Sequence, residues 1–468
     1  MRRKTLCFAA LILCFTSVLA AAAIIEVFPT GTAADFENVR AALASASPGD
    51  TVLLRAGTFN WSGNSAIVPP FVVPVGLPIP VSGITITGET AHNGTPLTII
   101  AGPVGSDGFP DVIPGGPFNG GFINGPGVTG VTIRNLILRN FYQAIGLLQG
   151  PFGPDSYTAA YAPGADFSAG ASDFVIENLR IENSTSGIAA LGANNHLIVR
   201  NNTIQIVAKD GVSDVDSLAF IVNANAINTI SAFPDIPDAP VGVVIEDNTV
   251  VGPGPYPQFL LLNGSPFWAF TVGIGIQGAN GARVEGNTVS GFSSGLHLSA
   301  EGTVLIQHNS QSNGQSGMSL NDLSPASACI DPPAGAGGVP SSATNGAVVR
   351  NNRFTGNVHL PKPPESNYWL TNDGFGMLVS ADNTQFVGNN VEGNEVAGIR
   401  LTQDSCLNPV RPNRTATGNL ILGNHNVVMG TDYVLTHNTI SGSKTSLQNV
   451  GEAIGDLPPD QRPPRKMQ

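Results

Sequence analysis

The most constraining feature of this sequence is a short strand pattern that recurs along the chain and ends in asparagine. Each copy alternates apolar and polar residues, as a β-strand with one buried face does. Most copies continue into another β-branched residue, as in Asn202-Thr203-Ile204. The copies are Val131–Asn135, Val175–Asn178, Ile198–Asn202, Val244–Asn248, Arg283–Asn287, Leu305–Asn309, Val348–Asn352, Phe386–Asn390 and Val434–Asn438.

A second pattern, of the form Gly-Ile-x-Leu, keeps the same phase and completes the repeat. One coil then consists of three short strands, and stacked coils pair every strand with parallel neighbours about 4.8 Å away. Solenoids of this kind grow along one axis without splitting into domains. The second pattern occurs at Ser186–Ile188, Ser294–Leu298, Ser316–Leu320 and Ala397–Leu401.

These two patterns predict an all-β fold, a single-stranded right-handed parallel β-helix with three short strands per coil. Asparagine suits it in two ways. Its side chain tolerates the left-handed backbone of a sharp bend, and stacked asparagines can form a hydrogen-bonded ladder inside the turn.

The first residues have the composition of a secretory signal. Arg2, Arg3 and Lys4 precede the apolar run Leu6–Phe15, and small residues offer cleavage sites from Ala20 to Ala23. We therefore assign residues 1–23 to a signal peptide, residues 24–445 to the β-helix and residues 446–468 to a flexible C-terminal tail. The protein is expected to be secreted or periplasmic, with no membrane span once the signal is removed.

A short helix is predicted to cover the first coil. Thr32-x-x-Asp35 resembles a capping box, and Phe36, Val39 and Leu43 would share one face of the helix that follows. Such a cap is needed because an open solenoid exposes its core and unpaired strand edges.

Charge and cysteine content limit the partners. Removing Arg2, Arg3 and Lys4 takes the formal net charge from -12 to -15, which excludes nucleic acid as a partner. Cys329 and Cys406 remain after the signal is removed, and they form either one disulfide or two free thiols. We expect a monomer.

The N-terminal segments Ala41–Leu43, Pro48–Val52 and Ala56–Phe59 resemble the opening of pectin-lyase-like right-handed β-helix proteins. The later Asn-Asn-x-Ile and Gly-Ile-x-Leu units are similar to the repeats of that superfamily. The resemblance implies the fold over roughly Ile24–Ser443. It also implies a polysaccharide ligand, since many members cleave, epimerise or bind acidic polysaccharides, whereas others are adhesins. The Asn-Thr-Asp, Asp-Asp and Gly-His-Gly elements of polygalacturonases and the Asp-Pro-His-Asp element of alginate epimerases are absent.

In that superfamily the ligand groove follows the sheet of the Gly-Ile-x-Leu strands. The longest insertions of this sequence are predicted beside that sheet, where binding residues concentrate on loops. The insertions are Gln149–Asp173, Asn223–Val241, Gly252–Val272, Asn321–Gly346, His359–Asp373 and Thr402–Thr415.

Strand alternation places Gln277, His297 and Arg400 on the outer face of this sheet, with Asp322 and Asp373 at strand ends. The two carboxylates can serve as acid and base in glycoside hydrolysis. They can instead hold Ca²⁺ against a uronate, with Arg400 assisting proton abstraction. Asp322 and Arg400 are expected three coils apart, some 14 Å, and a solvated polar face is the alternative.

Two further clusters are candidates. Lys209 and Asp210, near Asp214 and Asp216, form either an acid/base pair beside a cation site or an ordinary polar turn. Trp268, Tyr368 and Trp369 either stack on sugar rings or cover the protein's own core.

The sequence therefore predicts a β-helix that binds a polysaccharide or cell-surface glycan along one sheet. If the protein is an enzyme, it is a polysaccharide lyase or a glycoside hydrolase. No cofactor is required, and Ca²⁺ is the candidate metal. The alternative is a non-catalytic surface or structural solenoid.

Overall fold

A computed structural model of the chain gives the architecture of the repeat. It describes these residues: 22–61, 67–68, 71–72, 75–106, 108, 110, 119–125, 127–141, 143–147, 172–191, 194–207, 225–230, 241–254, 258–260, 266–268, 271–301, 304–320, 347–358, 374–379, 385–395, 397–401, 414–417, 420–422, 427–429, 433–436, 439–441, 446–448 and 452–454.

Three long parallel sheets confirm the predicted right-handed β-helix with three strands per coil. Sheet 1 contains the strands Ile24–Val27, Thr51–Leu54, Thr85–Gly88, Thr132–Arg134, Val175–Glu177, Ile198–Arg200, Val244–Glu246, Arg283–Glu285, Leu305–Gln307, Val348–Arg350, Gln385–Val387, Arg414–Thr417, Tyr433–Thr436 and Glu452–Ile454. Sheet 2 contains Gly57–Asn60, Thr98–Ala101, Leu136–Arg139, Arg180–Ser184, Thr203–Ile206, Thr249–Val251, Thr288–Ser290, Ser310–Ser312, Arg353–Thr355, Asn390–Glu392, Leu420–Leu422 and Thr439–Ser441. Sheet 3 contains Val75–Ile79, Asn119–Asn124, Gln143–Leu147, Ser186–Leu191, Asn225–Ile230, Val272–Asn280, Ser294–Glu301, Ser316–Leu320, Phe375–Val379 and Ala397–Leu401.

The remaining strands pair outside these sheets. They are the antiparallel pairs Ile67–Val68 with Phe71–Val72 and Gln258–Leu260 with Pro266–Trp268, and the parallel pair Val427–Met429 with Ser446–Gln448.

The β-helix extends past the domain end predicted at residue 445. Glu452–Ile454 pairs in parallel with Tyr433–Thr436 in sheet 1. The segment predicted to be a flexible tail therefore contributes to the solenoid at least as far as Ile454, while the residues after it lie outside the description.

Sheets 1 and 2 are joined in most coils by two residues that have different roles. The first has a left-handed backbone, with φ of 55° at Asn201, 54° at Asp247 and 54° at Asn351. The second is the buried residue immediately before the sheet 2 strand, such as Asn202 or Asn352, each 1% exposed. The sequence suggested that one asparagine both adopts the left-handed backbone and forms the stacked ladder. In the structure these two roles belong to adjacent residues.

Six of the buried asparagines form a continuous ladder along the axis. In each link the side-chain Nδ2 and the backbone N–H of one asparagine both donate to Oδ1 of the next, over 2.9–3.0 Å. Each Nδ2 also donates to a carbonyl of the preceding coil, so one side chain connects three coils. The ladder consists of Asn202, Asn248, Asn287, Asn309, Asn352 and Asn389.

Two early asparagines of the repeat do not belong to this ladder. Asn135 and Asn178 occupy the left-handed position, with φ of 60° and 50°. Leu136 and Leu179 follow them and occupy the buried position that the ladder asparagine has in later coils. The ladder begins where the backbone N–H of Leu179 donates to Oδ1 of Asn202 over 2.9 Å.

Glycines at the start of the sheet 3 strands let this sheet lie close to sheet 2. A Cβ at Gly317 would lie 2.4 Å from the carbonyl oxygen of Gly376 and 2.9 Å from Phe354 Cδ1. A Cβ at Gly295 would lie 2.3 Å from Gln311 Cγ. The recurrent glycine of the Gly-Ile-x-Leu units therefore follows from packing against sheet 2 and against the next strand of sheet 3.

The N-terminal helix Ala34–Ser45 covers the first coil as predicted, with Phe36, Val39 and Leu43 in the core. Its start differs from a capping box, since Ala33 is the N-cap and makes no side-chain capping bond. The buried carboxylate of Asp35 instead accepts from the backbone N–H groups of Thr30, Gly31 and Asn60. Asp35 thereby ties the helix to the first strand of sheet 2.

Candidate functional site

The long connections of the chain flank sheet 3, whereas sheets 1 and 2 are joined by one or two residues from Arg134 onwards. A rigid scaffold with its longest loops along one sheet is the usual setting for ligand binding. The longest connections from Leu147 onwards span residues 148–174, 207–224, 231–243, 252–271, 321–347, 356–374 and 402–413.

The prediction that Asn223–Val241 is an insertion is wrong in part. The structure places the sheet 3 strand Asn225–Ile230 inside it, paired with Ser186–Leu191 and Val272–Asn280. This strand is less visible in the sequence because Asn225-Ala-Ile-Asn-Thr-Ile230 lacks the glycine that marks the others.

The outer face of sheet 3 contains a column of mostly small residues around one histidine. Strand register aligns Gly275 with His297, His297 with Ser319, Ser319 with Leu378, and Leu378 with Arg400. Towards the N-terminus the same column continues through Asn228, Ala189, Gly146 and Ile123. No position from Ile123 to Leu378 in this column is an acid, so His297 is its one titratable residue.

His297 is partly enclosed by the structure around it. Gly275 is buried, and Ser319 is 0% exposed although its position faces outward. Burial lowers the pKa of His297 to about 4. The imidazole is therefore neutral at pH 7. In a neutral imidazole one ring nitrogen is a hydrogen-bond donor and the other is an acceptor.

We expect His297 to make stability depend on pH between about 6.5 and 4. The pKa of His297 is lower in the folded protein, about 4, than the ordinary value of 6.5, so over this range the unfolded chain binds more protons. The free energy of unfolding should then fall by about 2 kcal/mol as the pH is lowered. Urea unfolding at pH 7 and pH 4.5 measures this change.

The matched variants are His297→Gln and His196→Gln, since His196 lies in an exposed turn beside Asp173. His297→Gln should lose this part of the pH dependence and His196→Gln should keep it. Equal pH dependence in wild type and His297→Gln would contradict the assignment.

The outer face of sheet 1 is very different, because its charges are paired with one another. Glu177 pairs with Arg200 at 2.7 Å, Glu246 with Arg283 at 2.7 Å, and Arg283 with Glu285 at 3.0 Å. The side chain of Gln307, together with His308 and Arg283, lowers the pKa of Glu285. These charges already have partners, so this face offers less to a ligand than sheet 3 does.

Among the predicted site residues, the structure places four in strands, namely His297 and the three that follow. Gln277 lies two residues after Gly275, so it shares the outer face and is one coil from His297. Arg400 is in the His297 column, three coils away, about 14 Å. Trp268 lies in the antiparallel pair that precedes the strand Val272–Asn280. The side chains of Gln277, Arg400 and Trp268 lie outside the description.

The other predicted residues lie outside the described part of the chain. They are Lys209, Asp210, Asp214, Asp216, Asp322, Cys329, Tyr368, Trp369, Asp373 and Cys406.

The predicted distance of three coils between Asp322 and Arg400 is corrected by the strand order. Asp322 follows the strand Ser316–Leu320, and only Phe375–Val379 separates that strand from Ala397–Leu401. The two strands are thus two coils apart, about 10 Å. The error arose because the sequence spacing near this point does not reveal how many coils an insertion contains.

The described residues contain no group of three or more His, Cys, Asp or Glu that is arranged to hold a metal ion. Within the same part of the chain, no helix has the length and apolar character needed to cross a membrane.

Comparison with known proteins agrees with this architecture. Residues 242–454 match the family model described as a right-handed β-helix region. No curated protein gives a significant match to the chain.

Solved structures with similar folds are distant in sequence. The catalytic unit of a thermostable α-1,3-glucanase from Streptomyces thermodiastaticus is 14% identical, with a TM-score of 0.47, over 93% of this chain and 69% of that one. An alginate lyase from Paenibacillus is 12% identical, with a TM-score of 0.42, over 90% and 99%. A mannuronic-acid-specific family 6 polysaccharide lyase from human gut microbiota is 10% identical, with a TM-score of 0.37, over 94% and 92%.

The stacked three-strand coils, together with the family match over residues 242–454, show that the chain folds as a right-handed parallel β-helix.

Proposed function

We propose that this protein is exported and binds a polysaccharide along the outer face of sheet 3, across Ala189, Gly275 and His297. The observation that carries the proposal is the column of small residues around a neutral histidine, on the one sheet that the long connections flank. Export rests on the composition of residues 1–23.

The chemistry of this face suits a sugar chain. Ala189 has a single methyl group and, like His297, is partly exposed, so a pyranose ring can approach the strand closely at these two positions. A neutral imidazole can donate a hydrogen bond to a sugar hydroxyl or accept one from it. The coil spacing of about 4.8 Å allows a chain that follows the axis to meet equivalent positions in successive coils.

The column itself supplies binding and no acid/base pair. Cleavage would have to come from Lys209, Asp210, Asp322, Asp373 or Arg400, the residues proposed for catalysis from the sequence. A Ca²⁺ ion at Asp214 and Asp216, stacking by Trp268, Tyr368 and Trp369, and contact with Gln277 belong to the same proposal. The non-catalytic alternative retains the same binding face.

We expect His297→Ala to weaken glycan binding about tenfold, because the variant loses a hydrogen bond to the ligand worth about 1.4 kcal/mol. Affinity electrophoresis on alginate, polygalacturonate, an α-1,3-glucan and a neutral β-glucan, each with Ca²⁺ and with chelator, measures the change. His196→Ala is the matched control, since it removes an exposed histidine from a turn outside sheet 3 and should bind as wild type does.

Two results would contradict the proposal: retention on none of the four glycans, or equal retention of wild type and His297→Ala. Incubation with the retained glycan then separates binding from cleavage. A rise in ultraviolet absorbance from unsaturated ends indicates a lyase, and new reducing ends without that rise indicate a hydrolase. Retention without either product supports the binding function alone.

A further inference from the structure

We propose that export ends with hydrolysis of the Ala22–Ala23 peptide bond, and that Asp50 binds the α-ammonium group created on Ala23. The reaction adds one water across the bond, leaving a carboxylate on Ala22 and the ammonium on Ala23. A signal peptidase is the class of enzyme that supplies this step. The inference concerns the processing of the chain and is independent of glycan binding.

The nitrogen of Ala23 lies against a carboxylate. The nitrogen of Ala23 donates to Oδ1 of Asp50 over 2.7 Å, and Oδ2 of the same carboxylate accepts from the backbone N–H of Ser47 over 2.8 Å. These two bonds lower the pKa of Asp50, so its carboxylate is ionised at neutral pH. An ammonium in place of the amide N–H would make the first bond a charge-assisted one, which is stronger.

Ala23 also anchors the first strand of sheet 1. The carbonyl of Ala23 accepts from the backbone N–H of Thr51 over 2.8 Å, immediately before Ile24 pairs with Thr51. A chain that began at Ile24 would lose both contacts and leave the N–H of Thr51 without this acceptor. The contacts of the folded chain therefore favour retention of Ala23 over cleavage after it.

The sequence before Ala23 indicates which peptide bond between Ala20 and Ala23 is cleaved. Signal peptidases require small residues at the first and third positions before the cleaved bond. Cleavage after Ala22 places Ala22 and Ala20 there, whereas cleavage after Ala21 would place the bulky Leu19 at the third position. Cleavage after Ala20 places Val18 there and would leave Ala23 with an uncharged amide.

The first test is the intact mass and N-terminal peptide of the exported full-length protein. We expect a chain that begins at Ala23. A chain that begins at Ala21, Ala22 or Ile24, or that retains the signal, overturns the cleavage assignment.

The second test concerns Asp50 and uses the mature protein. Acylation of the N-terminal amine at pH 7, followed on its peptide by mass spectrometry, should be about threefold faster in Asp50→Asn than in wild type, since the carboxylate keeps the amine protonated. Asp173→Asn is the control, because Asp173 is an exposed acid in another turn, and its rate should equal that of wild type. Equal rates in all three proteins would overturn the role of Asp50.

Discussion

Asn352→Ala should destabilise the protein by about 3–5 kcal/mol, because removing its amide leaves several buried polar groups without partners, at about 1–3 kcal/mol each. Oδ1 of Asn352 accepts both the Nδ2 and the backbone N–H of Asn309 over 3.0 Å. Its Nδ2 donates to the carbonyl of Ile306 and to Oδ1 of Asn389. The side chain is 1% exposed, so water does not easily replace these partners.

The adjacent residue provides the control. Asn351 is also an asparagine, but it is exposed, and its role is to adopt a φ of 54°. Asn351→Ala should cost about 1 kcal/mol, because alanine lacks the short polar side chain with which asparagine tolerates a left-handed backbone, and Asn351→Gly should cost less still. Chemical unfolding of the three variants measures the differences. Similar losses for Asn351→Ala and Asn352→Ala would contradict the division of roles between the two positions.

Gly317→Val should destabilise the protein by about 3 kcal/mol, because overpacking forces the backbone of neighbouring coils to move. A Cβ at Gly317 would lie 2.4 Å from the carbonyl oxygen of Gly376 and 2.7 Å from Oε1 of Gln311. The first of these atoms belongs to a strand backbone and cannot rotate away. Thermal or urea unfolding of the variant measures the loss.

Gly356→Ala is the control for a glycine that is retained for its backbone alone. Its φ is 64°, and the nearest atom to an added Cβ is 3.6 Å away. We expect a loss of about 1–2 kcal/mol. If Gly317→Val is no more harmful than Gly356→Ala, close packing against sheet 2 and the next strand of sheet 3 does not explain the recurrent glycine.

Much of the fold could be predicted from the sequence because each coil repeats the same local choices. Strands such as Val244–Glu246 show a period of two, and asparagine ends most of the copies. The phase was harder to read where two asparagines are adjacent. The copy proposed as Phe386–Asn390 is displaced by one residue, since the strand is Gln385–Val387 and the ladder residue is Asn389.

The candidate site was less predictable, because it depends on which coils are neighbours. His297 could be assigned to the outer face by alternation, but its contact with the Gly275 and Ser319 positions follows from register across coils. The burial of Ser319 could not be read from alternation either, since that pattern says which face a residue is on and not whether the face is covered.

The ladder of buried amides has a consequence for how this chain can change in length. Every link runs in the same direction, with the donor in one coil and the acceptor in the next. A duplicated coil that carries its own asparagine inserts one donor and one acceptor together, so the series closes again without a gap. A fragment of a coil would interrupt the series and leave buried groups unmatched. The protein can therefore evolve by gaining or losing whole turns, in steps of about 4.8 Å along the axis.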